Sequence, residues 1–159
     1  MTDIVAYDRQ EIEVLKLAAS LEKYSEHHLA KPIIERAKSE NLELLEVKNF
    51  EALSGKGVKG NLGAIGNRTL MEDLGISLAG IENDIIKLEN EGKTVVILAL
   101  EGKPAGLLAV ADTLKDESIE SVKTLKKEGL EVWMITGDNE RVARVIALKA
   151  GIQKEKVCA

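Results

Sequence analysis

The sequence predicts a mixed α/β (α+β) chain: a glycine-punctuated sheet with accompanying helices, followed by one βα unit of a parallel sheet. Three observations predict this. Short apolar runs between Leu42 and Ile65 are divided by Gly55, Gly57, Gly60, Gly63 and Gly66, the spacing of strands separated by tight turns. Two longer apolar runs, Thr94 to Leu100 and Ala105 to Ala111, flank Glu101-Gly102-Lys103 and read as a hairpin. Finally, the apolar run Leu130 to Ile135 stops at Thr136-Gly137-Asp138-Asn139 and a helical pattern starts at once, as in a βα unit.

Taken in order, Asp8 and Glu11 suit a capping box, and Ile12, Leu15 and Ala19 repeat at helical spacing to about Tyr24. Ser25 suits a fresh N-cap, with Leu29, Ile33, Ile34 and Ala37 as a second apolar stripe. Pro32 lies beyond the first-turn position proline prefers in that helix, so the helix is expected to start late or kink. Strands are expected over Leu42 to Val47, Phe50 to Leu53, around Val58 and at Ala64-Ile65. A short helix from Thr69 to Gly75 follows, then one over Ile81 to Glu91 with Gly92 as its C-cap. Beyond the hairpin come a helix around Ser118 to Glu128, the strand to Ile135, and a helix from Glu140 to Ala150 closed by Gly151. The composition of the pattern changes near Val110 to Lys115, which sets expected domains at 1–110 and 111–159. The second holds fewer strands than an open doubly wound sheet requires, so its residues are expected to exchange amide protons faster or to pack against a partner.

Composition narrows the function classes. A net charge of -5 argues against a phosphate-backbone binder, because such affinity rests on clustered Lys and Arg that release counterions. No nucleic-acid partner is therefore expected. Aromatic residues make up 3% of the chain, too few for a ring-stacking platform, so a bound purine would be held by aliphatic contacts and backbone. Cys158 is the one cysteine and has no partner for a disulfide or a redox pair. No run reaches the roughly 18 apolar residues of a membrane helix, and the N-terminus lacks the pattern of an export signal. A cytoplasmic location is the expectation.

Thr136-Gly137-Asp138 places a hydroxyl, a pliant backbone and a carboxylate at the carboxyl edge of a parallel sheet, where α/β folds bind ligands. Thr136 can donate to a phosphoryl oxygen, and the helix N-terminus adds partial positive charge. The other reading is a plain turn with Asp138 as N-cap.

In context, MITGDN resembles the strand end of the phosphorylation domain of P-type ATPases, within the haloacid dehalogenase superfamily. Upstream, SEHHLA at Ser25 to Ala30 is similar to the SEHP motif of the heavy-metal-transporting branch, and SGKGVKG at Ser54 to Gly60 to its GxG loop. Gly66-Asn67-Arg68 matches its GNR, and DTLK at Asp112 to Lys115 its hinge. The resemblance implies an antiparallel sheet flanked by helices, the nucleotide-binding domain, followed by a partial Rossmann-like haloacid dehalogenase domain. It implies ATP, with Mg2+ in the parent enzyme, as ligands, and Glu22, His27, Gly55, Gly57 and Asn67 as the adenine pocket. Thr136, Gly137 and Asp138 would form the edge of the phosphoryl site. The implied partners are the rest of the phosphorylation domain, an actuator domain and a membrane domain, at the cytoplasmic face of a membrane.

The residues support that transfer on their own terms. Glu22 and His27 would stand roughly 140° apart on a continuous helix and could not converge on a base; Ser25 supplies a break. A carboxylate accepts from the adenine amino group, an imidazole lies against the base, and glycines at 55 and 57 let sugar and phosphates approach the main chain. The family proline after His27 is His28 here, so entry into the second helix must be set by other means. Adjacent histidines point about 100° apart on a helix, and with no third ligand in view no metal site is expected. The family's DKTGT and GDGxNDxP loops do not occur in these residues, so the expectation is an excised part of a pump that cannot itself form the aspartyl-phosphate. Two alternatives remain: a non-catalytic nucleotide-sensing module, and a dehalogenase-type phosphatase fragment, for which no DxD nucleophile loop is present.

Overall fold

A computed structural model describes residues 3–111 and 114–159. Thr2, at the start of the expected first domain, and Asp112 and Thr113 of the DTLK stretch lie outside the described residues. The chain divides into two compact units. The first comprises the residues up to Ile85 with Val95–Val110, and the second Ile86–Thr94 with the residues from Ala111 onward.

The chain begins with β1 (Asp3–Ala6), which sequence pattern did not reveal, and continues into α1 (Glu11–Glu22) and α2 (Ala30–Ser39). The Asp8/Glu11 capping box does not form. Asp8 has a left-handed backbone, φ 55°, whereas an N-cap is extended; Gln10, at φ -86° and ψ 145°, takes the position without a side-chain bond. α1 buries Val14, Leu15, Ala18, Ala19 and Leu21, and α2 buries Ala30, Ile33 and Ala37, the i, i+3, i+7 stripe of an amphipathic helix. α2 starts late, with Leu29 and not Ser25 as its N-cap. Pro32 then falls in the first turn, where its missing N–H costs nothing.

Leu42 to Val47 is not a strand. Leu42, Leu44 and Val47 do pack onto the core, which explains the apolar alternation. Backbone bonds go elsewhere: Leu45 N–H donates to Ser20 Oγ at 2.9 Å, and just past the segment Lys48 N–H donates to Asn61 Oδ1 at 2.6 Å. Side-chain acceptors have taken the donors a ladder would need.

Next come β2 (Glu51–Leu53), β3 (Gly57–Gly60), β4 (Gly63–Gly66), α3 (Arg68–Asp73), α4 (Glu82–Asn90), β5 (Lys93–Leu100) and β6 (Lys103–Ala111). The strands form one six-stranded antiparallel sheet in the order β1-β6-β5-β4-β3-β2. Glu101 and Gly102, at φ 51° and 76°, make the two-residue turn with both central residues left-handed that suits the twist of a hairpin. Val58, Ile65, Val96, Leu98 and Leu108 meet the apolar faces of α1 and α2 in a single core. Tyr7 donates its hydroxyl to Asp84 Oδ2 at 2.7 Å, which ties the end of β1 to α4.

The second unit holds the last turns of α4, α5 (Asp116–Lys127), β7 (Met134–Ile135), α6 (Glu140–Lys149), a 3-10 turn at Lys154–Lys156 and β8 (Val157–Cys158). β7 and β8 pair in parallel, with Met134 opposite Val157. The expected strand from Leu130 is shorter than its apolar run, since only Met134 and Ile135 find a partner. The mixed α/β class and the order of antiparallel sheet before parallel unit agree with expectation. No helix among the described residues is long and apolar enough to cross a membrane.

Candidate functional site

The bend after α1 is built by its own side chains. Glu22 closes the helix, and its carbonyl accepts from Ser25 N–H at 2.9 Å. Ser25 Oγ accepts from His27 N–H at 3.2 Å, and His27 Nδ1 accepts from Leu29 N–H at 3.3 Å. Since Nδ1 accepts, the neutral ring carries its proton on Nε2. These local bonds replace helical ones over residues 23 to 29, and they do so without a proline after His27.

Glu22 is 3% exposed, and its Oε2 meets no hydrogen-bond donor among the described residues. Burial pushes its carboxyl above the usual glutamate range, with a hydrogen bond from the Ser25 side chain partly opposing the shift. A buried oxygen left without a donor costs about 1–3 kcal/mol. His27 is exposed, and its ring lies beside that of His28 with centroids 4.4 Å apart.

Gly55, Gly57 and Asn67 form a second group. Asn67 Nδ2 donates to the Gly55 carbonyl at 2.8 Å, while Asn67 Oδ1 caps α3 by accepting from Leu70 N–H at 3.1 Å. Its main-chain N–H donates to the Lys56 carbonyl at 2.9 Å. One side chain thus fixes both the glycine loop and the helix start. The two glycines differ in kind. Gly55, φ +70°, has open space where a Cβ would stand, whereas a Cβ on Gly57, φ +144°, would lie 2.2 Å from the Ile65 carbonyl oxygen and 2.6 Å from Gly66 Cα. Gly57 and Gly66 face each other across β3 and β4, so Gly57 is required by the close approach of two strands. α1, which ends in Glu22, packs on β3 and β4. Arg68, the first residue of α3, pairs with Glu82 at 2.9 Å and so aligns α3 with α4.

In the second unit, Thr136 N–H donates to the Cys158 carbonyl at 2.9 Å, extending the β7–β8 pairing by one residue. Thr136 Oγ1 donates to Asp138 Oδ2 at 2.8 Å and accepts from Asp138 N–H at 3.1 Å. Gly137 bridges the two. The N-cap of α6 is Asn139, whose Oδ1 accepts from Arg141 N–H at 2.9 Å, so Asp138 is released from the capping role. Among the described residues no group of three or more His, Cys, Asp or Glu side chains gathers. A magnesium ion at this edge would need phosphate oxygens among its ligands.

The structure brings Gly55 and Asn67 into direct contact and links Glu22 to His27 through Ser25; Thr136, Gly137 and Asp138 form their own turn. The sequence marked Ser25 as a break and as an N-cap. Its hydroxyl as the link between Glu22 and His27 was legible in the Ser-x-His spacing, an ordinary side-chain turn.

The chain belongs to the haloacid dehalogenase-like hydrolase family, whose model matches residues 2–157. Its relatives place it more narrowly. It is 42% identical, over 97% of its length, to a copper-transporting P-type ATPase of Rhizobium leguminosarum bv. viciae. It is 41% identical, over 96% of its length, to a copper-exporting P-type ATPase of Bacillus subtilis (strain 168). The chain spans 19% and 20% of those two relatives' own lengths. A crystal structure of a zinc-transporting PIB-type ATPase matches with a TM-score of 0.68 and 27% identity, covering 96% of this chain and 25% of that one. The N-domain of a copper-transporting P-type ATPase matches with a TM-score of 0.57 and 30% identity, covering 69% of this chain and 98% of that one. The resemblance read from the motifs is thereby borne out.

Proposed function

We propose that this chain is the ATP-handling part of a copper- or related heavy-metal-transporting P-type ATPase at the cytoplasmic face of a membrane. Residues 1–110 are the nucleotide-binding domain and 111–159 part of the phosphorylation domain. The names of the relatives support the pump, and the near-complete coverage of a solved N-domain by part of this chain supports the division.

The observation that carries the nucleotide assignment is Glu22 Oε2, a buried acceptor that meets no donor among the described residues. The exocyclic amino group of adenine supplies one, and a carboxyl keeps an accepting oxygen whether or not it is protonated. His27 lies against the base from the exposed side. Gly55 leaves its surroundings open to sugar and phosphate, while Asn67 and Gly57 hold the loop that presents it. The work is mainly positioning, as phosphoryl transfer demands little covalent chemistry of the protein. The accepting aspartate belongs to a segment outside these residues. At Thr136-Gly137-Asp138 the hydroxyl turns from Asp138 to a phosphoryl oxygen. Mg2+, bound with ATP, would neutralise phosphate charge there, with Asp138 as the chain's carboxylate at that edge.

Calorimetric titration with ATP tests the pocket. Glu22→Ala should weaken binding about tenfold or more, the scale of a lost hydrogen bond at a buried site, and His27→Ala about fivefold or more, the scale of stacking on a base. Full affinity in both variants would defeat the assignment.

A further inference from the structure

The helix that follows the Thr136–Asp138 turn is held along one face by a segment remote in sequence. Glu89, at the end of α4, is 2% exposed, and its Oε2 accepts from Arg141 Nη1 at 3.2 Å. Arg141 stands in the first turn of α6, where a positive charge opposes the helix dipole; the buried carboxylate offsets that cost. One turn along α6, Val145 lies against Gly92: a Cβ there would be 2.8 Å from Val145 Cγ1. One turn further, Lys149 Nζ donates to the Glu91 carbonyl at 3.4 Å. Arg141, Val145 and Lys149 are spaced i, i+4, i+8, a single stripe of a helix, and all three meet residues 89 to 92 within the second unit.

We propose that Glu89 is a positioning residue for the Thr136–Asp138 edge, acting through Arg141, with Glu91 and Gly92 completing a cradle that sets α6. The proposal rests on reading that edge as part of the phosphoryl site. Gly92 has two duties in it. Its φ of +80° and its N–H bond to the Glu89 carbonyl end α4, and its missing side chain admits Val145. Arg141 joins the cradle to the turn, because its main-chain N–H is held by Asn139 Oδ1 while its guanidinium reaches Glu89. A shift of the guanidinium therefore moves the cap, and the cap is the residue after Asp138.

The test is amide exchange by NMR on the isotope-labelled full chain, without nucleotide. Glu89→Gln and Arg141→Gln are compared singly and together, with Arg144→Gln as a control that removes the Glu140 ion pair. Each single change should speed exchange at Asp138, Arg141 and Ala143 about tenfold, and the double change no further than either alone. Exchange at Leu98 and Leu108 should stay the same. Should either single variant fail to fold, Arg141→Lys, which keeps the charge but loses the forked reach, should give an intermediate rate. Additive effects of the two changes, unchanged rates at the turn, or an equal effect from Arg144→Gln would each overturn the proposal. The readout involves no ATP, so a failed pocket assignment in the titration leaves this result standing, and the converse holds.

Discussion

The two units solve the same problem, burying apolar side chains against a sheet, with very different means. In the first, two helices cover a six-stranded sheet, and Leu15, Ile33, Ile65, Leu98 and Leu108 reach full burial. In the second, the sheet among the described residues is one pair of two-residue strands, the buried apolar members of its cluster are Ala147, Ala150 and Ile152, and α5 buries no residue. Trp133 and Ile135 remain 52% and 83% exposed. The difference follows from strand number. An antiparallel sheet of six strands presents a whole face to helices, whereas a two-stranded parallel pair leaves most of its apolar side chains without a second layer.

The largest expected effect comes from deleting side chains in each unit. Leu98→Ala should cost about 2–5 kcal/mol, and Ile135→Ala less than about 0.5 kcal/mol, in denaturant titrations. Trp133 is the chain's one tryptophan, so its fluorescence follows the second unit while circular dichroism follows both. If Leu98→Ala moved the fluorescence transition as far as the dichroism transition, the units would unfold as one and the contrast drawn above would fall.

Glycines sharpen the comparison at the next scale. Gly57→Ala forces a Cβ onto the Ile65 carbonyl and should cost about 2–5 kcal/mol of strain and overpacking. Gly151→Ala, also left-handed at φ +81° but with nothing near the added carbon, should cost about 1 kcal/mol. Thermal melts of the two variants check this, and equal losses would mean that backbone conformation, not contact, governs both sites.

The smallest effect is a pH dependence rooted in the first unit. Glu22 is raised in the folded chain, so the folded state holds its proton to higher pH than the unfolded state does. Stability from this group is full below the ordinary glutamate range and is lost as pH climbs through the raised value. Glu22→Gln should flatten that decline, and denaturant midpoints measured across the window would show it. A decline of the same size in the variant would assign it to another group.

What was legible in the sequence divides along physical lines. Helical stripes such as the one through Ile33 and Ala37, the Glu101-Gly102 hairpin and the strand–turn–helix at Ile135 to Glu140 are local patterns, and each appears in the structure. Leu42 to Val47 has the alternation of a strand, but Ser20 captures the Leu45 donor and Asn61 that of Lys48 just beyond, and no local rule reports a partner that far away. β1 escaped notice because four residues carry little periodicity and its partner is β6. The candidate residues were legible as motifs, since the Ser25 turn and the Asn67 cap are short-range devices. Glu89 and Arg141 were not, because an ion pair spanning 52 positions leaves no mark in either segment.

The pairing of β1 with β6 bears on how the chain is made. Asp3 faces Ala109 and Ala6 faces Gly106, and β6 stands between β1 and β5. β1 leaves the ribosome well before β6, yet the strand has no strand partner until nearly the whole first unit has followed. Until then its unpaired edge must stay out of contact with other nascent chains, and closure of so long a loop makes this the slow, non-local step of assembly.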